Sequence, residues 1–366
     1  MILKIEEMRT IMIILLLLST LLILLLLVLI LISPGKPSPV KDREGKIIDG
    51  SFSEKVFEDI NGSRQGMFIR SSRRSNPVLL YVHGGMPDYF LDRKYNSHLE
   101  RIFTVVWWEQ RGSGISYDPL ASVEDVTTEQ LIEDITTLAK ILKQRFGKDR
   151  IYLMGHSGGT FVAIKAASLH PELYYAYFGV AQISNQLESE KLACNYMLAK
   201  YREQGRRKME NRLVKVSVSD TIPSAYYGIR DKAMHELGIG TMHGMKSVVT
   251  GLFLSSLLCR DYTPGEKFKM WQAKIRSGVS IIWKDIIDTD LKESVTLFKI
   301  PVYFIEGRFD YTCSSVLAKE YFEMIEAPEK KFILFENSAH SPMFEESEKM
   351  IDFLESVIKE DVAKHH

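Results

Sequence analysis

Cysteine is scarce in this chain: Cys194, Cys259 and Cys313 are the three among 366 residues. Odd in number and widely spaced, they offer neither a metal-ligand pattern nor a disulfide framework. Net charge is missing too. The 47 Lys and Arg residues balance 47 Asp and Glu residues, so the formal net charge is zero. That balance gives no general attraction to nucleic acid or acidic polymers, and no nucleic-acid partner is expected. The local cluster Arg202, Arg206, Arg207 and Lys208 reads as a solvated helix face. No lipobox-like cysteine follows the one long apolar run. No small-residue cleavage site follows it either, which counts against a removable secretion signal.

What is present starts with that run. Ile11 to Ile32 carries no charge and is almost entirely Leu and Ile. At 1.5 Å per residue it would be about 33 Å long as a helix, enough to cross a bilayer core. The expected organisation is a flank at 1–10, a transmembrane anchor at 11–32 and a Pro, Lys and Gly-rich linker at 33–46. Lys4 and Arg9 precede the span, and Lys36, Lys41, Arg43 and Lys46 follow it. Strict counting of positive charge favours a cytoplasmic C-terminal side. Short N-terminal anchors more commonly leave a large following domain outside. An extracellular domain on a single-pass anchor is the expectation adopted.

Beyond the linker the chain alternates short apolar runs with helix-patterned stretches, and 45% of its residues are hydrophobic. A hairpin is signalled by Lys55–Phe57 and Met67–Ile69 about Asn61-Gly62. Val78–Val82, Phe103–Trp108, Ile151–Met154 and Tyr174–Ala181 read as buried strands. A helix starts near Thr127, with Gln130 completing a capping pattern, and Gly147 suits its end. This alternation predicts a mostly parallel sheet covered by helices on both faces, an α/β fold. From Ala181 to Pro301 the alternation stops and helix-like segments take over. The core is therefore assigned to 47–182 and 299–366, with a helical cap at 183–298 over the ligand-binding edge of the sheet.

The chemistry is carried by Gly155-His156-Ser157-Gly158-Gly159, directly after a strand and directly before a helix. That context turns G-x-S-x-G into a nucleophile elbow, with Ser157 exposed at the turn. An acid and a histidine should follow in chain order. Val302–Ile305 breaks at Glu306-Gly307-Arg308-Phe309-Asp310, and Phe332–Phe335 leads to Ala339-His340. Asp310 and His340 thus each lie on a loop after a strand. A serine hydroxyl needs such a base, and the base needs an orienting acid. Ser157, Asp310 and His340 are the expected catalytic residues. The oxyanion hole is expected from the backbone of Gly158 and of Gly85 or Met86, in His83-Gly84-Gly85-Met86 after the strand Val78–Val82. His83 should brace that loop, and His156 should pack or make a secondary hydrogen bond. Cys313 reads as packing.

His83-Gly84-Gly85, Gln110-Arg111-Gly112-Ser113-Gly114, the serine elbow, Gly307-x-x-Asp310 and Ala339-His340-Ser341 together resemble the proline iminopeptidase (prolyl aminopeptidase) family of α/β-hydrolases. The resemblance covers roughly residues 47 to 360, and the cap matches least. It implies an aminopeptidase, with Gln110 and Arg111 shaping the loop beside the oxyanion hole. The chain departs from the family pattern at Met86, where proline is usual, at Glu109, where aspartate is usual, and at Gly158, where tryptophan is common. The family's cap glutamates hold the substrate amine, and Glu188 and Glu190 are the candidates here. The reading is a serine hydrolase acting through an acyl-enzyme on small peptides or amides, with neither metal nor organic cofactor. An esterase or lipase-like enzyme for lipid-derived esters is the alternative. A binding protein on an inactive hydrolase fold is disfavoured by the complete residue set. Oligomeric state is left open.

Overall fold

The computed structural model describes residues 2–42, 44–121 and 126–365. Arg43, counted above among the charges after the apolar run, lies outside them.

Eight strands form one sheet in the order β1-β2-β4-β3-β5-β6-β7-β8. They are β1 (Phe52–Ile60), β2 (Ser63–Ser71), β3 (Val78–Val82), β4 (Thr104–Trp108), β5 (Ile151–His156), β6 (Tyr174–Val180), β7 (Val302–Gly307) and β8 (Lys330–Phe335). β1, β2 and β4 pair antiparallel, and every pairing from β4 through β8 is parallel. The β1–β2 hairpin turns on Asn61 and Gly62, both at positive φ (50° and 74°), as the Asn-Gly signal requires. The side chains of β3, β4, β5 and β7 are all buried, which explains their unbroken apolar runs.

The helices are α1 (Ile2–Leu31), α2 (Tyr89–Tyr95), α3 (Thr128–Phe146) and α4 (Gly158–Leu169), followed by α5 (Gln186–Glu203), α6 (Arg207–Val214) and α7 (Ser224–Leu237). A π-helical turn, Val249–Phe253, then runs into α8 (Leu254–Leu258). After it come α9 (Pro264–Ser277), α10 (Trp283–Asp288), α11 (Leu291–Ser294), α12 (Ser315–Met324), α13 (Pro342–Glu345) and α14 (Ser347–His365). α3 starts as its sequence predicts: Thr127 Oγ1 accepts the Gln130 N–H at 3.2 Å, and Gly147 closes the helix at φ 60°.

α5 to α11 lie between β6 and β7 and make the helical cap. Its core is a cluster of its own, including Cys194, Met197, Tyr201, Tyr226, Met234 and Ile239. Two sequence expectations are refined. α1 begins at Ile2 rather than near Ile11, because the polar flank is itself helical and Thr10 Oγ1 bonds back to Glu6 O at 2.9 Å. The linker does not hang free. Ser33 and Val40 are buried, Gly35 N donates to Arg260 O at 3.1 Å, and Ser38 Oγ donates to Asp261 Oδ1 at 2.8 Å. Proline-rich composition predicts an extended path, and these long-range hydrogen bonds dock that path on the cap.

Candidate active site

β5 ends at His156 and α4 starts at Gly158, leaving Ser157 alone in the turn with φ 55° and ψ −128°. A side chain at positive φ is strained, at a typical cost of about 1–3 kcal/mol. The neighbours hold it there: Ser157 N donates to Val180 O at 3.0 Å, and Thr160 N donates to Ser157 O at 2.9 Å. Close approach also dictates composition. A methyl group on Gly159 would run into Val82 O, and one on Gly84 would sit 3.0 Å from Ser157 Oγ. The elbow and the loop after β3 therefore touch through glycine.

Asp310 and His340 come together from the loops after β7 and β8. His340 Nδ1 donates to Asp310 Oδ2 at 2.8 Å, and both residues are buried. This bond fixes the ring tautomer and leaves Nε2 as the basic nitrogen. Asp310 Oδ1 accepts the backbone N–H groups of Thr312 (2.7 Å) and Cys313 (3.0 Å). Gly307 makes the meeting of the two loops feasible, because any Cβ there would run into Ala339 O. Cys313 is buried, and its thiol is pushed well up by desolvation and by Asp310.

Ser157 and His340 line one cavity of about 540 Å³, together with Gly84, Gly85 and Met86. The cap supplies much of the far wall, including Tyr227, Arg230, Asp231, Met234, Lys274 and Trp283. Gly158 lies beside it, against Gly84.

The histidines flanking the elbow have distinct jobs. His83 Nδ1 donates to Gly84 O at 2.9 Å, and Nε2 accepts the Gln110 N–H at 3.1 Å. Only the neutral ring can do both, and burial lowers its pKa to about 4. Gln110 Nε2 returns a bond to His83 O at 2.5 Å. Arg111 makes a two-pronged ion pair with buried Asp134, at 2.9 Å to each oxygen. His156 instead bridges Asp88 Oδ2 (2.7 Å) and the backbone oxygen of His340 (2.9 Å). Burial pulls its pKa down, but Asp88 and these hydrogen bonds leave it raised. The ring anchors the His340 backbone.

Glu188 and Glu190 require a correction. Glu190 is fully buried under Arg230, which reaches its two oxygens at 2.6 and 2.7 Å, and Tyr226 and Gln186 bond it as well. Glu188 pairs with Lys191 at 2.8 Å on the surface. Neither lines the cavity. Sequence spacing could not reveal the Glu190–Arg230 pair, because the partner sits on another helix.

Three contributors carried no local sequence signal. Lys274 on α9 donates to Gly85 O at 3.0 Å and to Val279 O at 3.2 Å, and burial lowers its pKa. Glu345 accepts the N–H groups of Ala339 (2.8 Å) and His243 (2.6 Å), tying the His340 loop to the cap; burial pushes its carboxyl up to about 7. Asp231 lines the cavity with 60% of its side chain accessible, beside Arg230 at 2.9 Å.

Residues 77–236 match the family model for the alpha/beta hydrolase fold. The chain belongs to the α/β-hydrolase family. Within it, the chain is similar to the "Probable aminopeptidase YbaC" of Bacillus subtilis, 30% identical over 292 residues that cover 78% of this chain and 90% of that one. It is also similar to a proline iminopeptidase of Saccharolobus solfataricus, 24% identical over 79% of this chain and 86% of that one. Among solved structures, a proline iminopeptidase-related protein from Thermus thermophilus shares the fold with a TM-score of 0.56 at 18% identity, covering 85% of this chain and 98% of that one.

The His83 brace sets an acid limit. Its folded pKa of about 4 lies below the ordinary 6.5, so protonation favours the unfolded chain. Its contribution is complete above pH 6.5 and is lost as pH falls toward 4, a span worth about 3 kcal/mol. His83→Gln, which cannot titrate, should flatten the stability-versus-pH curve across that window in denaturant unfolding. An unchanged slope would mean that the brace does not titrate as assigned.

Proposed function

We propose that the chain is a membrane-anchored serine hydrolase that forms an acyl-enzyme on Ser157 and cleaves amides of short peptides bearing a free N-terminal amine. The observation that carries the reading is the His340–Asp310 hydrogen bond at 2.8 Å beside a strained serine elbow on one shared cavity. In this reading His340 Nε2 takes the Ser157 proton as Oγ attacks the acyl carbon, then passes it to the leaving amine. Water, activated by the same nitrogen, releases the acyl group. Asp310 stabilises the imidazolium formed in each step. The tetrahedral oxyanion is held by the N–H groups of Gly158 and of Gly85 or Met86, with the N-terminus of α4 behind them. The chemistry calls for no metal or organic cofactor.

Lys274 serves this hole at one remove. A trans peptide is planar, so holding the Gly85 carbonyl also sets the direction of the Met86 N–H. Lys274→Met should lower kcat by about tenfold or more while KM stays within about threefold, since the interaction matters most when charge develops on the substrate oxygen. An unchanged kcat would remove Lys274 from the machinery.

Asp231 is the substrate-amine acceptor in this account. Among the described residues, Asp88 and Asp231 are the acidic ones lining the cavity, and Asp88 is taken up by His156 and Tyr81. The names of the two curated relatives support amide cleavage. An ester-cleaving alternative draws on the apolar part of the wall, Leu91, Met234, Val248, Leu252 and Trp283. In this reading α1, whose apolar run is not buried in the fold, is the anchor, and the hydrolase domain lies on the extracellular side, as short N-terminal anchors more commonly arrange. The test uses aminoacyl amides with free or acetylated amines. The free form should be strongly preferred, and Asp231→Asn should raise its KM about tenfold, roughly 1.4 kcal/mol, without affecting the acetylated form. Equal cleavage of both forms would shift the assignment to the ester-cleaving alternative.

A further inference from the structure

The apolar surface of the cap lies beside the membrane end of α1. The segment Val249–Leu258 has no charged residue and exposes Val249, Phe253, Leu254 and Leu258, which recur on one side of a helical turn. α9 continues the patch. Phe268 is 67% and Ile275 80% exposed, and Trp271 between them packs edge-on against Phe253 at 5.1 Å. Such exposure of large apolar side chains on two adjoining helices calls for a partner.

The chain's own anchor identifies that partner. α1 ends at Leu31, and Ser33 Oγ is hydrogen-bonded to Lys267 Nζ at 2.6 Å. Lys267 also donates to Leu257 O at 2.5 Å. Two residues span at most about 7 Å, so the end of the apolar helix is held close to Leu258 and Phe268. The Gly35–Arg260 and Ser38–Asp261 bonds extend the clamp. Exposed Lys246, Arg260 and Lys269 flank the apolar residues, as basic groups do at a lipid headgroup layer. The same segment reaches the active site from its other side: Val248 and Leu252 line the cavity, each one residue from outward-facing Val249 and Phe253. One helix thus separates the cavity from the exposed patch, and its π turn is the kind of irregularity that allows a helix wall to adjust.

We propose that the face formed by Val249–Leu258 and α9 rests on the bilayer that receives α1, and that the cavity draws amphiphilic amides, a free-amine head on an apolar chain, from that bilayer. The proposal rests on the anchoring role assigned to α1. It narrows the substrate class of the same site to molecules that partition into lipid.

The test uses the full chain reconstituted in phosphatidylcholine vesicles with and without brominated acyl chains. Of the four tryptophans, none lies in α1, Trp107 and Trp108 are buried in the sheet, and Trp283 lines the cavity. Brominated lipid should quench the wild type at least twice as much as Trp271→Phe. Equal quenching of the two, or failure of the full chain to float with the vesicles, overturns the proposal. In a second arm, Leu258→Glu combined with Phe268→Glu should lower kcat/KM about tenfold for an aminoacyl amide of a long-chain amine held in the vesicles and leave a soluble short-chain aminoacyl amide unchanged. Equal effects on both would also overturn it. Quenching needs no turnover, so the surface is decided even for an inactive chain. Absence of any hydrolysis and of fluorophosphonate labelling at Ser157 would count against the hydrolase reading alone.

Discussion

The site depends on one strained residue. Ser157 sits at φ 55° because β5 must end, and α4 must begin, within a single position. Everything nearby is arranged to hold that turn. Val180 O receives its N–H, Gly159 lets α4 press against the end of β3, and Gly84 lets the following loop lie on the serine. The parallel register of β3, β5 and β6 places these groups at one level, with Val82 opposite Gly155 and His156 opposite Val180. Loss of that register would release the strain and move the hydroxyl away from His340.

The core was legible because its signals are local. Asn61-Gly62 encodes a hairpin wherever it joins two alternating runs, and G-x-S-x-G after an apolar strand encodes an elbow. Asp310 was legible because it follows an apolar strand that breaks at Gly307; the structure adds that this glycine admits the very loop that carries His340. The cap was legible only as helices. Its site residues depend on contacts between distant segments: Lys274 meets Gly85, Glu345 meets His243, and Arg230 covers Glu190. A glutamate that will be neutralised and one that will greet a substrate look alike in a sequence. Glu190 was misread for that reason, and Asp231, next in sequence to the arginine that neutralises Glu190, carried no signal at all.

The linker makes a related point. A stretch rich in proline, lysine and glycine reads as a linker and says nothing of what it docks on. Here the prolines keep it extended while Gly35 and Ser38 direct their hydrogen bonds to the cap. A docked linker fixes which face of the domain lies beside the end of α1. The cap then has two relations to the site. Its inner side lines the cavity with Asp231 and Lys274, and its outer side carries the apolar residues beside the end of α1.

The central claim is that Ser157 is a nucleophile activated by His340. The most direct measurement is peptide mapping by mass spectrometry after reaction with a fluorophosphonate, with wild type and Asp310→Asn compared for rate. The account predicts one adduct, on the peptide containing Ser157, formed at least about a hundredfold more slowly in Asp310→Asn because the wrong imidazole tautomer is then favoured. An adduct at another residue, or an equal rate in the variant, would contradict it.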